Sequence, residues 1–237
     1  YLFAGANMSM VNNEINQSYY LDDMGRNFSQ YANTDGNYTV NIFAMLNVKI
    51  PNSILRFGAG PLAAFYRYSN FVDNKKSITK ATNLRARITL QARIPDKIEL
   101  NIAAMPGYNI SHSSLSKAAD QKYWESNLTL DGNYQLPWKM EIGSVVTADL
   151  RQKITAFDKN NNIILWNAYI EKRFLKNESI ALRASITDIL DQNKGYSRYQ
   201  LGTGLEEQRY LTWGQYGLIS LTYNFVKKGS KGPENMS

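Results

Sequence analysis

Leu84-Arg85-Ala86-Arg87-Ile88-Thr89-Leu90-Gln91-Ala92-Arg93-Ile94 is the stretch whose reading decides the fold. Every second residue is apolar, and each residue between is charged or polar. Successive side chains of a β-strand point to opposite faces, so this run makes a strand with one greasy face and one wet face. Arg85, Arg87 and Arg93 share the wet face, where an uncompensated guanidinium needs water or a carboxylate.

The same alternation extends outward in both directions. Tyr38, Val40, Ile42, Ala44, Leu46, Val48 and Ile50 oppose Thr39, Asn41, Phe43, Met45, Asn47 and Lys49. Trp124, Ser126, Leu128, Leu130, Gly132, Tyr134 and Leu136 oppose Glu125, Asn127, Thr129, Asp131, Asn133 and Gln135. Met140, Ile142, Val146, Ala148 and Leu150 oppose Glu141, Thr147, Asp149 and Arg151, and a last segment runs from Trp213 to Phe225. About ten such segments are legible by this criterion, and no convincing helix. Many run a dozen residues or more. Soluble strands cluster near roughly five or six residues, whereas a tilted strand needs about 9 to 11 to cross a hydrocarbon layer.

Connections alternate in length. Short turns fall at Pro51-Asn52-Ser53, Pro95-Asp96-Lys97, Pro137-Trp138 and Lys176-Asn177-Glu178, and longer polar loops are expected over 15–36, 71–80, 111–121, 156–161 and 190–208. Short turns on one side and long loops on the other are the layout of outer-membrane barrels. The expectation is therefore all-β: a transmembrane antiparallel up-and-down β-barrel of about ten strands over residues 1–225, followed by a polar periplasmic tail over 226–237. The cell outer membrane is the expected location, with outer-membrane lipid and lipopolysaccharide against the apolar face.

Composition sets further bounds. The chain has 237 residues, net charge +7, no cysteine and a single histidine. Without cysteine there is neither a disulfide framework nor a thiolate metal site, and no cofactor is expected. Tyr1-Leu2-Phe3-Ala4-Gly5 lacks the basic start and apolar core of a signal peptide, so the chain is expected to begin after processing or partway through a longer protein. The 16 tyrosines and 4 tryptophans suit side chains with one apolar and one wet end. Trp124 and Trp166 fall near loop-side strand ends, and Trp138 and Tyr223 near turn-side ends, as in interfacial girdles. The basic balance does not indicate nucleic acid, because the arginines alternate with lipid-like residues along strands.

The charged face holds the candidate site. Arg56, Arg85, Arg87, Arg93, Arg151, Arg173 and Arg183 share it with Glu99, Glu125, Asp131, Glu141, Asp149 and Glu171. Such residues line a solute path or hold a plug by ion pairs; the simpler expectation is a self-neutralising wall of cross-strand pairs. His112 between Ser111 and Ser113, with Asp120 nearby, offers the ingredients of a hydrolytic set, although a solvated loop histidine is the plainer reading. Asp22-Asp23 and Asp158-Lys159-Asn160-Asn161-Asn162 lack calcium-loop spacing.

The last third carries a family resemblance. Ile164-Leu165-Trp166-Asn167-Ala168-Tyr169-Ile170-Glu171-Lys172-Arg173-Phe174-Leu175-Lys176-Asn177-Glu178-Ser179-Ile180 looks like a penultimate hairpin. Ala184-Ser185-Ile186-Thr187-Asp188-Ile189-Leu190-Asp191-Gln192-Asn193, Lys194-Gly195-Tyr196-Ser197-Arg198 and the ending Leu218-Ile219-Ser220-Leu221-Thr222-Tyr223-Asn224-Phe225 follow it. Together they resemble the C-terminal region of the Bacteroidota outer-membrane β-barrel family, which is similar to TonB-dependent receptors. The resemblance implies a barrel of about 22 strands with a plug, of which these strands would be the C-terminal part. It implies uptake of a solute with TonB and a surface lipoprotein as partners. It also implies that Tyr223 and Phe225 are read by the barrel-assembly machinery. A structural or assembly barrel that scaffolds a surface complex without transporting is the alternative.

Overall fold

The structure, a computed structural model, describes residues 1–115, 117, 120–153, 162–175, 177–201 and 204–225. The expected loop over 156–161 and the expected tail over 226–237 lie outside the described residues.

Fourteen strands are present among the described residues: β1 (Leu2–Val11), β2 (Glu14–Leu21), β3 (Asn27–Thr34), β4 (Asn37–Lys49), β5 (Leu55–Val72), β6 (Lys75–Ile94), β7 (Ile98–Ser113), β8 (Gln121–Leu136), β9 (Met140–Arg151), β10 (Ile163–Phe174), β11 (Ile180–Thr187), β12 (Tyr196–Leu201), β13 (Gly204–Arg209) and β14 (Tyr216–Tyr223). They form a 12-stranded sheet whose main path runs β1-β4-β5-β6-β7-β8-β9-β10-β11-β14, plus a separate β12-β13 ribbon. Each pair on the main path is antiparallel and joins strands consecutive along it. This is up-and-down topology.

The sheet is open. β1 pairs β4 and β14 pairs β11, and the two do not pair with each other, so among the described residues the expected barrel strands form an open sheet that does not close on itself. Two expected loops are also strands. Residues 15–36 hold the β2-β3 hairpin, which touches β5 at Tyr19↔Val72, and 190–208 hold most of the β12-β13 ribbon. The third correction concerns 71–80. Asp73 (φ 48°) and Asn74 (φ 59°) alone connect β5 to β6. Two consecutive left-handed residues make the turn that matches strand twist, and Asp and Asn tolerate that conformation best after glycine. Reading polar residues as loop missed it, because polar pairs such as Asn70↔Ser77 sit inside the ladder.

Register sorts the faces. Val48, Phe57, Leu90, Ile102, Leu130, Val146 and Trp166 form one row across seven strands. Ile42, Leu84, Ile88, Leu128, Ile142, Ile170 and Leu182 share that face and are exposed. Among the described residues the only buried apolar side chains are Ala92, Ala148 and Ala181. No apolar core forms, because a single sheet with one greasy face has nothing of its own to bury that face against.

Candidate functional site: the charged face of the sheet

The opposite face carries the charges. The nine expected residues (Arg56, Arg85, Arg87, Arg93, Glu125, Asp131, Asp149, Arg151 and Arg183) have the same strand parity and share it. They fall into groups of different character.

The first group is centred on Glu125. Its Oε1 accepts from Arg85 Nη2 at 2.6 Å, and its Oε2 lies 3.3 Å from Arg151 Nη2. Arg85 and Glu125 are not on neighbouring strands, since the row reads Arg85↔Gly107↔Glu125↔Arg151. Gly107 makes the reach across β7 feasible: a Cβ there would sit 2.8 Å from Arg85 Cγ. The Arg151 guanidinium also lies 5.4 Å from the Tyr123 ring centroid, a cation–π contact.

The second group is centred on Glu171, which is buried. Glu171 accepts from Arg173 Nε at 3.0 Å and from Arg183 Nε at 2.8 Å. Arg173 also lies 3.7 Å from Glu141, and the Tyr169 hydroxyl donates to Glu141 at 2.5 Å. The Tyr169 ring lies over Gly143, where a Cβ would meet it at 2.2 Å, and Arg183 stacks on that ring at 4.1 Å. Asp149 accepts from Asn127 Nδ2.

The third group lacks such compensation. Lys49, Arg56 and Arg93 line a pocket of about 510 Å³ near the turn-side end of β4–β7, together with Ser53, Gln91, Glu99 and Asn101. Lys49 stands directly opposite Arg56, and Arg56 opposite Gln91. Arg93 is opposite Glu99 in register, but among the described residues no ion pair forms there or at Lys49, Arg56 or Arg87. A second pocket of about 310 Å³, lined by Phe3, Phe43, Met45, Leu62, Arg87 and Gln91, continues this region toward β1. Asp131, opposite Asn101 and Val145, forms no ion pair among the described residues.

Sequence reasoning missed the residues that shape these groups, namely Gly107, Gly143, Tyr123 and Tyr169. The signal is positional, since a glycine matters only once its cross-strand neighbours are known. It also missed a loop-side polar patch. Asn70, Ser77, Thr79 and Ser113 are nearly fully buried, with side-chain atoms lacking hydrogen-bond partners.

The other candidates are placed as follows. His112 lies in β7, and its Nδ1 is 2.7 Å from Asp120. Asp120 also accepts from the Ser113 N–H at 2.8 Å. That amide first, and the His112 side chain second, hold the Asp120 carboxyl below the ordinary aspartate value of 3.8. Strand alternation turns Ser111 and Ser113 to the face opposite His112, so the hydrolytic set is not assembled. Asp22 accepts from the Met24 and Arg26 amides and pairs with Arg26, closing its own turn. Tyr223 is opposite Ile180 at the turn side, and its ring stacks with Phe225 at 6.2 Å, both exposed. No group of three metal-ligating side chains occurs among the described residues.

No family model matches the chain, and no curated protein or solved structure matches it either.

Proposed function

We propose that this sheet is part of the wall of an outer-membrane β-barrel of the TonB-dependent receptor-like kind, whose charged face lines a solute path. The observation that carries the reading is the exposed apolar face. Ile42, Leu46, Leu84, Leu130, Ile142 and Ile170 are each more than 40% exposed, on a chain whose only buried apolar residues, among those described, are alanines. In water, contiguous apolar surface beyond a few hundred Å² is rare on monomeric proteins; in hydrocarbon it is the required exterior.

Strand length supports the same reading. β5, β6, β7 and β8 have 18, 20, 16 and 16 residues, beyond the ~9 to 11 that a tilted strand needs to cross. A spanning sheet cannot leave edges in lipid, where each unpaired N–H or C=O costs several kcal/mol. Further strands pairing with β1 and β14 would close the wall, in keeping with the larger barrel that the last third resembles. Barrel-assembly machinery, TonB and a surface lipoprotein are the partners this reading implies.

Membrane fractionation of the full-length protein, followed by solute uptake in cells with and without the gene, tests it. The expected result is recovery only in the detergent-extracted outer-membrane fraction and a gene-dependent uptake. Recovery in the aqueous fraction without detergent would sink the membrane reading, and membrane recovery with unchanged uptake would sink transport.

A further inference from the structure

We infer that Lys49, Arg56 and Arg93 form a binding site for a small multivalent oxyanion, a solute bearing two or more phosphate or carboxylate groups. Around Glu125 and Glu171, each arginine meets a carboxylate at 3.3 Å or less. In the β4–β6 region the same face places Lys49 directly opposite Arg56, with Arg93 on the diagonal two residues beyond Gln91. Like charges directly opposite each other destabilise a sheet, and no ion pair among the described residues offsets them. A bound anion would.

The surroundings suit that ligand. The pocket measures about 510 Å³, inside the range of small-molecule sites. Gln91 and Asn101, adjacent in register, add amide donors beside the cations. A guanidinium presents a planar fork that matches carboxylate and phosphate oxygens, while a lysine ammonium adds a mobile point charge. Glu99 is the one carboxylate in the lining, which leaves a clear cationic excess. The ligand is a solute and not a lipid headgroup, because the site lies on the face opposite the apolar one. Arg87, on the same strand face as Arg93, extends the positive track toward the second pocket.

This assignment deepens the transport reading by naming the class of solute. Transport of that solute rests on the reading, but binding requires only that the charged face be wet. The test is calorimetric titration of the full-length protein in detergent with pyrophosphate and, separately, citrate. Pyrophosphate, citrate or both should bind, more weakly as salt rises. Arg56→Gln with Arg93→Gln should weaken binding about tenfold or more, and Lys122→Gln, an equal kind of charge loss on the other face, should leave it unchanged. Circular dichroism and heat-modified gel mobility verify that each variant is folded. Absence of binding for both probes, or equal affinity in the Arg56/Arg93 variant, would overturn the site. Recovery of the protein in the aqueous fraction would defeat the membrane reading and leave this titration unaffected.

Discussion

The two halves of the charged face use the same residue types at the same alternating positions and reach opposite electrostatic outcomes. Toward β8–β11 arginines meet carboxylates, Glu125 receiving Arg85 (which reaches over from β6) and Arg151, and Glu171 receiving Arg173 and Arg183. On β4 to β6, Lys49, Arg56, Arg87 and Arg93 make no ion pair among the described residues. Register accounts for Lys49 and Arg56, which face each other and Gln91, whereas Arg93 faces Glu99 without pairing. Gly107 in turn lets the Arg85 side chain pass over the intervening strand to Glu125. The half whose arginines are paired is held by its own ion pairs, and the basic half is where an anion from outside can bind.

Removing Glu171 should give the largest effect. It is 7% exposed and receives both neighbouring guanidinium groups, so Glu171→Ala should destabilise the folded protein by about 2 kcal/mol. Urea unfolding in detergent reads this out, and a native-like midpoint would break the claim that this half is held by its own pairs. Next comes Gly107→Val. A Cβ there crowds Arg85 at 2.8 Å, and the expected loss is about 1–2 kcal/mol. In this background, Glu125→Gln should cost less than it does alone, which a double-mutant cycle measures. The basic half should respond with the other sign. Arg56→Gln relieves repulsion from Lys49 and should leave stability equal or raise it by up to about 0.5 kcal/mol, whereas Arg183→Gln should lower it. If both arginine variants lose stability equally, the two halves are alike and the contrast fails.

The smallest effect lies in the loop between β7 and β8. The Asp120 carboxyl titrates below the ordinary 3.8, chiefly because it accepts the Ser113 N–H. A depressed folded value means that the contribution is present above the unfolded value and lost as pH falls through the folded one. Carbon-13 NMR of the carboxyl should therefore show a midpoint under 3.8 that rises in His112→Ala. A midpoint that does not move would show that His112 takes no part in the clasp.

Much of this was legible in the alternation. The run from Leu84 to Ile94 gives a strand and its two faces, because strand periodicity is a local property of the chain. Connectivity was less legible. In sequence the turn at Asp73–Asn74 reads as part of a loop, because strand ends rich in Asn, Ser and Thr carry no apolar alternation that would extend the strand. Residues 15–36 read as loop for the same reason, although Ser18, Asn16 and Thr34 hydrogen-bond within the β2-β3 hairpin and onto β5. Asp188 lies within the family-like segment, but its buried carboxylate accepts the amides of Gln192 and Asn193, a role that only the loop's folded path reveals. The division into paired and unpaired arginines was not legible, since it depends on which strand residues stand side by side. Closure was not legible either, because alternation is the same in an open sheet and a closed one.

The central claim is that one face of this sheet meets hydrocarbon and the other meets water, and the absence of cysteine from these 237 residues permits a direct test once any cysteine elsewhere in the full-length protein is replaced by serine. Single cysteines would be placed at Leu84, Leu128 and Ile142 on the apolar face, and at Arg87, Thr89 and Asn127 on the charged face, in the full-length protein in native outer membranes. Each would be reacted with a water-soluble maleimide. The account predicts rapid labelling at Arg87→Cys, Thr89→Cys and Asn127→Cys, with the three apolar positions protected until detergent or denaturant is added. Equal labelling of both faces in intact membranes would contradict it.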